Sequence, residues 1–218
     1  METHNYCRQH SWSELYQHRR AAQQRFGKTV FDLPLVKRVR DVLIELVAPG
    51  ASVLEIGAGD RRMKLLLEQH GGLIDYESQD IDPRGGHEYD DLDQIRRTYD
   101  GIFALEVIEH LPLEEVLPWL TRIGELLRPG GWLLLSTPST FYPPAYLRDV
   151  THRTPLCYDE LAGLVAAAGL EVTRVARVYH DPVHRRMLRQ HLFGWLFRMI
   201  GIDFARQIVL VAKAPRQG

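Results

Sequence analysis

Short runs of apolar residues alternate along this chain with longer segments in which apolar residues recur every three or four positions. The runs are typical of strands buried on both faces, and the longer segments are typical of amphipathic helices. The predicted strands are 52–56, 73–80, 99–105, 132–136, 170–179 and 208–212, and the predicted helices are 35–47, 63–69, 113–127 and 158–168. A polar helix within 1–30 is expected to end at Gly27, and Pro129-Gly130-Gly131 predicts a turn. This alternation predicts an α/β protein with a mostly parallel sheet covered on both faces.

The composition narrows the class of protein without naming a function. Of the 218 residues, 45% are hydrophobic and 25% are charged, which is the usage of a globular domain. The formal net charge of −1 supplies no general attraction for nucleic acid, so a nucleic-acid partner is not expected. The N-terminus has no apolar core of the signal-peptide type, and no run approaches the roughly 20 apolar residues of a membrane-spanning helix. We therefore expect a soluble, cytoplasmic protein.

A glycine-containing turn follows the first of the predicted strands. In VLEIGAGD, residues 53–60, Gly57 and Gly59 allow a ligand to approach the backbone, and a helix start supplies free N–H groups. Asp80 ends the next strand, where a carboxylate can accept hydrogen bonds from ribose hydroxyls. The third glycine of a nicotinamide-binding turn is missing, and Glu55 lies two residues before Gly57. The turn therefore favours the cation S-adenosylmethionine over a dinucleotide, with a turn that binds no ligand as the alternative.

Four segments resemble the class I S-adenosylmethionine-dependent methyltransferases in the same order: VLEIGAGD, YESQDIDP, YDGIFALEVIEHLP and LLRPGGWLLLSTPS. The resemblance covers nearly the whole chain. It implies a three-layer, Rossmann-like fold with a mostly parallel seven-stranded sheet and an antiparallel last strand. It also implies cofactor contacts at Glu55, Gly57, Ala58, Gly59, Asp80, Ile81, Asp91 and Glu106, with Asp90 competing for the place of Asp91 beside the adenine. The chain departs from the family at Arg61, where a glycine or another small residue is usual.

A second candidate site follows the strand 99–105. If Glu106 begins a helical turn, Glu109 and His110 lie beside it at offsets of three and four. His152 stands on the loop after the next strand and is expected to return to the same strand ends. Carboxylates together with imidazoles are suitable ligands for magnesium, manganese or zinc.

This E-x-x-E-H segment is similar to that of the small-RNA 2′-O-methyltransferases and of the ubiquinone-pathway O-methyltransferases. In the RNA group a metal at these positions contacts the hydroxyls of a terminal ribose. The resemblance therefore implies a divalent metal held by Glu106, Glu109, His110 and His152. A metal-free site with the catalytic residues Glu109, His110 and His152, in which a histidine is the general base, is the main alternative, and a purely structural role is the other.

The predicted function is S-adenosylmethionine-dependent O-methylation of a small-molecule, sugar or lipid-linked hydroxyl, with or without a metal. An RNA-end 2′-O-methyltransferase would need a basic surface, and a catalytically silent scaffold would be expected to lack the glycines or Asp80. A nicotinamide-dependent dehydrogenase is disfavoured by the missing third glycine.

The whole chain, 1–218, is expected to form a single domain. We divide it into an N-terminal helical cap (1–48), a cofactor-binding core (49–181), a helical insertion (182–204), and a closing strand with a tail (205–218). Residues 182–202 carry four arginines and no acidic residue, with apolar residues at helical spacing. An amphipathic helix is expected there, which would cover the substrate entrance, join two copies in a homodimer or contact an anionic membrane.

Overall fold

A computed structural model describes residues 12–71 and 73–216. The strands are β1 (Leu35–Val36), β2 (Ser52–Ile56), β3 (Asp75–Gln79), β4 (Tyr99–Leu105), β5 (Leu127–Pro138), β6 (Glu171–Val178) and β7 (Gln207–Lys213). The α-helices are α1 (Trp12–Phe26), α2 (Val39–Leu46), α3 (Arg62–Gly71), α4 (Leu113–Leu126), α5 (Pro143–Leu147), α6 (Tyr158–Ala167), α7 (Val183–Met187) and α8 (Gly194–Ile200). None of the helices in these two ranges is long and apolar enough to cross a lipid bilayer.

The seven strands form one sheet in the order β1-β6-β7-β5-β4-β2-β3. Strand β7 is antiparallel to both of its neighbours, and the other pairs are parallel. This topology confirms the predicted mostly parallel sheet with an antiparallel last strand. The carboxyl ends of the other six strands consequently meet at one edge, where parallel sheets of this kind bind their ligands.

Two hydrophobic clusters cover the two faces of the sheet, because alternate residues of each strand point to opposite sides. Leu54 and Ile102 belong to the cluster that includes buried residues of α4 and α6. Val53 and Phe103, their neighbours along the same strands, belong to the cluster formed with α2 and α3. Strand β2 is buried along its whole length, which explains its run of apolar residues. The molecule therefore has three layers, as the resemblance implied.

The N-terminal helix α1 packs on α6 in the outer helical layer. The Nε of Arg19 donates to Oδ2 of Asp159 at 2.7 Å, and the side-chain amide of Gln23 donates to the same oxygen at 2.6 Å. A Cβ at Gly163 would lie 3.1 Å from the backbone nitrogen of Arg19, so glycine permits this close contact. The helix ends at Phe26, in agreement with the predicted stop at Gly27. Residues 1–11 of the predicted cap lie outside the described residues.

Two local predictions are wrong at their boundaries. Leu35 and Val36, predicted as the start of a helix, form the edge strand β1 and pair with the end of β6. Pro129-Gly130-Gly131, predicted as a turn, lies within β5 as an irregularity in its pairing with β4. The amide of Gly130 donates to the carbonyl of Ala214 at 3.2 Å, so contacts after β7 hold this segment in the strand.

The insertion after β6 is helical but is not the continuous amphipathic helix that its apolar spacing predicts. Helix α7 leads into a π-helical turn, Leu188–Leu192, and α8 begins only after Phe193. Gly201, with φ of 70°, then ends α8. Many of the apolar side chains predicted to form a covered face are exposed to solvent.

Candidate active site

A cavity of about 750 Å³ lies at the carboxyl ends of the strands. Five residues that the resemblance assigns to the cofactor line it: Glu55, Gly57, Ala58, Gly59 and Glu106. The same cavity is also lined by Arg38, Arg40, His180 and Gln207, which the sequence analysis missed. These residues lie far from the recognised motifs in the sequence, and only the sheet order brings them to the cavity.

Two features require glycine at the first glycine position of the turn: its backbone conformation and the close approach of a neighbouring side chain. Gly57 has φ of 69°, which side-chain-bearing residues rarely adopt, and an added Cβ would lie 2.4 Å from Cγ2 of Val107. Gly59 has φ of 49° and no heavy atom within 4 Å of an added Cβ, so this position opens onto free space. Gly57 therefore lets β2 approach the segment after β4, and Gly59 leaves room beside the cavity.

The amides of the turn are not free, contrary to what the glycines suggest. Those of Gly57 and Ala58 donate to the carbonyl of Gln79 at 2.8 and 3.2 Å. The amide of Gly59 donates to Oδ2 of Asp80 at 2.8 Å. A pyrophosphate needs such donors, whereas a cation does not. The occupied amides therefore agree with a positively charged ligand better than with a dinucleotide.

Arg61, where the family usually has a small residue, adopts the left-handed conformation with φ of 55°. Its Nε donates to the hydroxyl of Ser78 at 3.0 Å, and its Nη2 donates to the carbonyl of Gly86. The side chain thus reaches from the start of α3 to the segments at and beyond the end of β3. The departure from the family pattern leaves the turn intact.

The residues assigned to the ribose and to the adenine differ in how close they lie to the glycine turn. Asp80 lies beside the turn, with Oδ2 held by Gly59 and Oδ1 by the amide of Asp82. Ile81, whose side chain is 86% exposed, follows it. Asp91 caps the short helical turn Leu92–Gln94 by accepting from the amide of Asp93, and it does not line the cavity. Neither carboxylate lines the cavity, but that of Asp80 is bonded to the glycine turn, which does, whereas that of Asp91 caps a separate helical turn.

Glu55 gives the cavity an acidic wall. Its side chain is almost fully buried and accepts a hydrogen bond from the hydroxyl of Tyr76. The pKa of Glu55 is raised to about 7, chiefly by burial; the nearby carboxylates of Asp60 and Asp80 contribute to the rise, and the hydrogen bond from Tyr76 opposes it. A cationic ligand would favour the ionised form of Glu55 and would be attracted by it.

Glu106 is held in an unusual backbone conformation at the end of β4. Its φ is 57°, which costs a residue with a side chain roughly 1–2 kcal/mol. Its amide donates to the carbonyl of Ser136 at 3.0 Å, and its Oε1 accepts from the hydroxyl of the same serine at 2.8 Å. These bonds direct the carboxylate into the cavity. Strain of this kind is concentrated at functional sites.

Glu109 is the most unusual carboxylate of the described residues. Its side chain is completely buried, and neither of its oxygens makes a well-formed hydrogen bond among the described residues. Burial, followed by the charge of Glu106, raises the pKa of Glu109 to about 8. The hydroxyl of Thr137 is near enough to favour the ionised form of Glu109 and so to lower its pKa slightly, but other effects are larger. A buried carboxyl without partners destabilises a fold, so its presence suggests a functional role.

Two histidines lie against Glu109. Nε2 of His152 is 4.0 Å from Oε1 of Glu109, and the rings of His110 and His152 are 4.9 Å apart. One ligand atom from each of these three residues lies within 4.8 Å of the other two. Glu106, the fourth residue of the predicted metal site, is not in this group, because its carboxylate faces Ser136 and the cavity. The structure therefore brings together three of the four.

Hydrogen bonds orient both imidazoles. Nδ1 of His152 lies 2.7 Å from the carbonyl of Tyr146, which can only accept, so Nδ1 carries the proton. The hydroxyl of Thr151 donates to Asp149 at 2.6 Å and is therefore an acceptor for Nδ1 of His110, 3.0 Å away. In the neutral form each ring then keeps its lone pair on Nε2. Metal-binding and proton-accepting histidines are commonly oriented in this way.

The loop that carries His152 is tied directly to Glu109. The amides of Arg153 and Thr154 both donate to the carbonyl of Glu109, at 2.7 and 3.1 Å. The hydroxyl of Thr154 donates to the carbonyl of Leu111 at 2.6 Å. These bonds explain why Glu109 and His152, 43 positions apart in the sequence, share one site.

The cluster fits a divalent cation by its donor chemistry. It offers a carboxylate whose oxygens lack partners and two imidazoles with Nε2 free, a mixed oxygen and nitrogen set that suits borderline metals. It equally fits metal-free chemistry in which a histidine accepts a proton.

Fold and site together define a class I S-adenosylmethionine-dependent methyltransferase domain. The chain matches the methyltransferase domain family over residues 16–175, most of its length, and belongs to that family. The predicted resemblance to the class I enzymes is confirmed.

Curated relatives and solved structures agree with this classification. A ubiquinone biosynthesis O-methyltransferase of Cereibacter sphaeroides (strain ATCC 17025) is 28% identical over 187 residues, covering 77% of this chain and 66% of that relative. A ubiquinone biosynthesis O-methyltransferase of Nitrosospira multiformis is 24% identical over 151 residues, covering 62% of this chain and 59% of that relative. The matches thus span about two thirds or less of these relatives. A SAM dependent methyltransferase from Archaeoglobus fulgidus superposes with a TM-score of 0.61 at 16% identity, covering 80% of this chain and 94% of that one. An S-adenosylmethionine dependent methyltransferase from Mesorhizobium loti superposes with a TM-score of 0.59 at 14% identity, covering 81% of this chain and 98% of that one.

Proposed function

We propose that this protein transfers the methyl group of S-adenosylmethionine to a hydroxyl oxygen of a small-molecule, sugar or lipid-linked acceptor. Membership of the methyltransferase domain family supports methyl transfer. The names of its curated relatives support oxygen as the acceptor atom. The observation that carries the proposal is the cluster of Glu109, His110 and His152 beside the cavity that contains the glycine turn.

The reaction needs an aligned acceptor and a place for its proton. The acceptor oxygen forms a bond to the methyl carbon while the carbon–sulfur bond breaks, and sulfur keeps that electron pair. S-adenosylhomocysteine leaves. The hydroxyl proton passes to Nε2 of His152 or His110, whose Nδ1 protons are already committed to Tyr146 and Thr151.

In its ionised form, which prevails above its raised pKa of about 8, Glu109 stabilises the imidazolium that forms. It lies 4.0 Å from Nε2 of His152 in a buried setting, where charge interactions are stronger than in water. Glu106 connects the two parts of the site, since it lines the cavity and its charge acts on Glu109. Glu106 therefore links the acidic wall of the cavity to the cluster of Glu109, His110 and His152.

The same cluster is proposed to hold a divalent ion. Glu109, His110 and His152 would supply the ligands, and Glu106 would need to rotate away from Ser136 to join them. Bound there, magnesium, manganese or zinc would lower the pKa of an acceptor hydroxyl. An acceptor with two neighbouring hydroxyls would suit such a site best.

Product analysis tests the proposal. The protein is incubated with methyl-labelled S-adenosylmethionine and fractionated extract of its source cell, and the labelled product is identified by mass spectrometry and NMR. We expect an O-methyl product in a small-molecule or lipid fraction. Label on nitrogen or carbon, or only in RNA, would contradict the proposed acceptor class. Absence of binding of both S-adenosylmethionine and S-adenosylhomocysteine in calorimetry would contradict methyl transfer itself.

The metal is tested separately by exhaustive chelation and by titration of manganese or zinc into the chelated protein. Loss of turnover that added metal restores, together with metal binding that Glu109→Gln abolishes, would support the ion. Glu115→Gln, which changes an exposed glutamate at the start of α4, is the matched control. Full turnover after chelation would leave the histidine as a metal-free base.

A further inference from the structure

The insertion between β6 and β7 exposes an unusual amount of apolar side chain. Trp195 is 65% exposed and Met199 is 67% exposed. Other apolar residues of α7, the π-helical turn and α8 are also exposed to solvent. We call the six exposed apolar residues of this segment the insertion surface: Met187, Leu188, Leu192, Phe193, Trp195 and Met199. Scattered exposed apolar residues are ordinary in soluble proteins, whereas six within 13 residues mark a contact surface.

The insertion is nevertheless anchored firmly to the body of the protein, by its charged residues. Arg186 donates to the hydroxyl of Tyr179 at 2.5 Å and lies over its ring. Arg189 forms an ion pair of 2.6 Å with the buried carboxylate of Asp181. Phe197, on the inner side of α8, contacts Phe204 with ring centroids 5.8 Å apart. Two guanidinium groups thus face inward while larger apolar groups face solvent, the reverse of an ordinary surface helix.

The insertion surface adjoins the active site. His180 and Gln207, which flank the insertion in sequence, both line the cavity. The amide of Asp203 donates to the carbonyl of Phe141 at 2.7 Å, which joins the end of the insertion to the loop after β5. That loop also carries exposed apolar residues, Leu147 and Val150. Exposed apolar groups therefore follow two parallel strands whose carboxyl ends form the mouth of the cavity.

The charge of the insertion selects among possible partners. Residues 182–202 contain four arginines and two histidines but no acidic residue, although the whole chain has a formal net charge of −1. Because Arg186 and Arg189 are engaged with Tyr179 and Asp181, the exposed cationic side chains of this segment are Arg185 and Arg198. The histidines His184 and His191 are also exposed. A two-fold contact between copies would place these like charges near one another with no acid of the segment to pair with them. Anionic lipid headgroups would pair with the basic groups while the apolar groups enter the acyl boundary.

We propose that the insertion surface docks on an anionic membrane, with the cavity mouth facing the lipid. The docking needs no transmembrane helix, because the short helical pieces lie in the interface. It would bring a lipid-linked or amphipathic acceptor to the cavity without its passage through water. The proposal concerns where the protein works and is independent of the chemistry proposed above.

Vesicle flotation tests the docking with the intact chain. The probes are vesicles of phosphatidylcholine mixed with phosphatidylglycerol, and vesicles of phosphatidylcholine alone. We expect flotation with the anionic vesicles at low salt, weaker flotation at high salt, and little with the neutral vesicles. The double variant Trp195→Ser, Met199→Ser should reduce membrane partitioning roughly tenfold. Arg185→Glu should weaken the preference for anionic lipid.

Leu73→Ser is the matched control. Leu73 is 92% exposed but lies just before β3, at the opposite edge of the sheet from the cavity. The Leu73→Ser variant should therefore float with anionic vesicles as well as the unchanged protein does. Circular dichroism and S-adenosylmethionine calorimetry check that each variant remains folded. Absence of flotation with anionic vesicles, or flotation that the double variant leaves unchanged, would overturn the proposal. A dimer in sedimentation that the double variant dissociates, without flotation, would assign the surface to a second copy instead.

Discussion

The glycine turn and the Glu109 cluster lie at the same edge of the sheet but differ in how their polar groups are used. In the turn, the amides of Gly57, Ala58 and Gly59 all have acceptors within the protein. In the cluster, Glu109 is completely buried and its oxygens lack well-formed hydrogen bonds among the described residues. One region is internally satisfied, and the other retains unused bonding capacity.

This difference indicates what each region does. A turn whose bonds are complete keeps its shape without a ligand, so it can present a preformed surface to the cofactor. A buried carboxyl with unmet bonding capacity opposes folding by roughly 1–3 kcal/mol or more, so it is retained where a reaction or an ion uses it. We therefore expect substitutions in the turn to change cofactor binding and stability, and substitutions in the cluster to change turnover.

The largest expected effect is on turnover when Glu109 is replaced. Above pH 8, where Glu109 is ionised, Glu109→Gln should lower kcat about 100-fold or more, because the imidazolium loses its counter-charge or the metal loses a ligand. The dissociation constant of S-adenosylmethionine should stay close to that of the unchanged protein. Initial rates and calorimetry measure the two quantities, with Glu115→Gln as the exposed control. Equal losses in turnover and cofactor affinity would remove the distinction between the two regions.

The next effect is on cofactor affinity when the ribose acid is replaced. Asp80→Asn should weaken binding of S-adenosylmethionine by about 1.5–3 kcal/mol, because the hydroxyls lose a charged acceptor. Asp91→Asn should leave affinity unchanged, since Asp91 caps the turn at Leu92, whereas Asp80 is bonded to the glycine turn that lines the cavity. Calorimetry compares the two variants. A larger loss for Asp91→Asn would show that the loop after β3 rearranges on binding.

Gly57→Ala tests the packing of the turn, and the same substitution at Gly50, a glycine with similar backbone geometry, is the comparison. Gly50 has φ of 77° and free space around an added Cβ, so Gly50→Ala should cost only the roughly 1–2 kcal/mol of a left-handed residue. Gly57→Ala adds a collision with Val107 and should cost roughly 1–3 kcal/mol more. Urea denaturation gives both free energies of unfolding. Equal values would mean that Val107 moves aside.

The smallest expected effect is the pH dependence that Glu55 confers on the turn. Because the folded-state pKa of about 7 is above the usual value for glutamate, folding takes up a proton between those two pH values. The contribution of Glu55 to stability is therefore present at low pH and is lost as the pH rises through about 7. Cofactor affinity should change in the opposite direction and rise severalfold, since the ionised carboxylate attracts the cation.

Glu55→Gln should remove both trends. Thermal denaturation and calorimetry across this pH range measure them. A pH profile of cofactor affinity that Glu55→Gln leaves unchanged would assign the titration to another group.

The sequence correctly predicted a strand, a glycine turn and a helix, with Asp80 at the end of the adjacent strand, because this geometry is local. The role of these residues toward the cofactor stays a prediction. The sequence assigned Asp91 to the adenine side from resemblance alone; the structure shows its carboxylate in a local cap, and the assignment stays a prediction. The sequence missed Gln207 and His180, which reach the cavity only through the position of β7 between β5 and β6. No short-range pattern reports that position.

The sequence alone determined the α/β class, the parallel core strands and the family, because buried strands and tight turns restrict the residues that can occupy them. The sequence also placed His152 near Glu109, but it put Glu106 in the same cluster, and only the tertiary structure decided the contacts that these groups make. Hydrogen bonds from Arg153 and Thr154 to the carbonyl of Glu109 bring His152 into the site, while the bond from Ser136 turns Glu106 toward the cavity. Residue spacing cannot specify either contact, because each depends on how a loop closes over strands that are distant in the sequence. Likewise, the spacing of apolar residues predicted an amphipathic face in the insertion, but only the inward ion pair of Arg189 with Asp181 and the contact of Arg186 with Tyr179 show which way that face points.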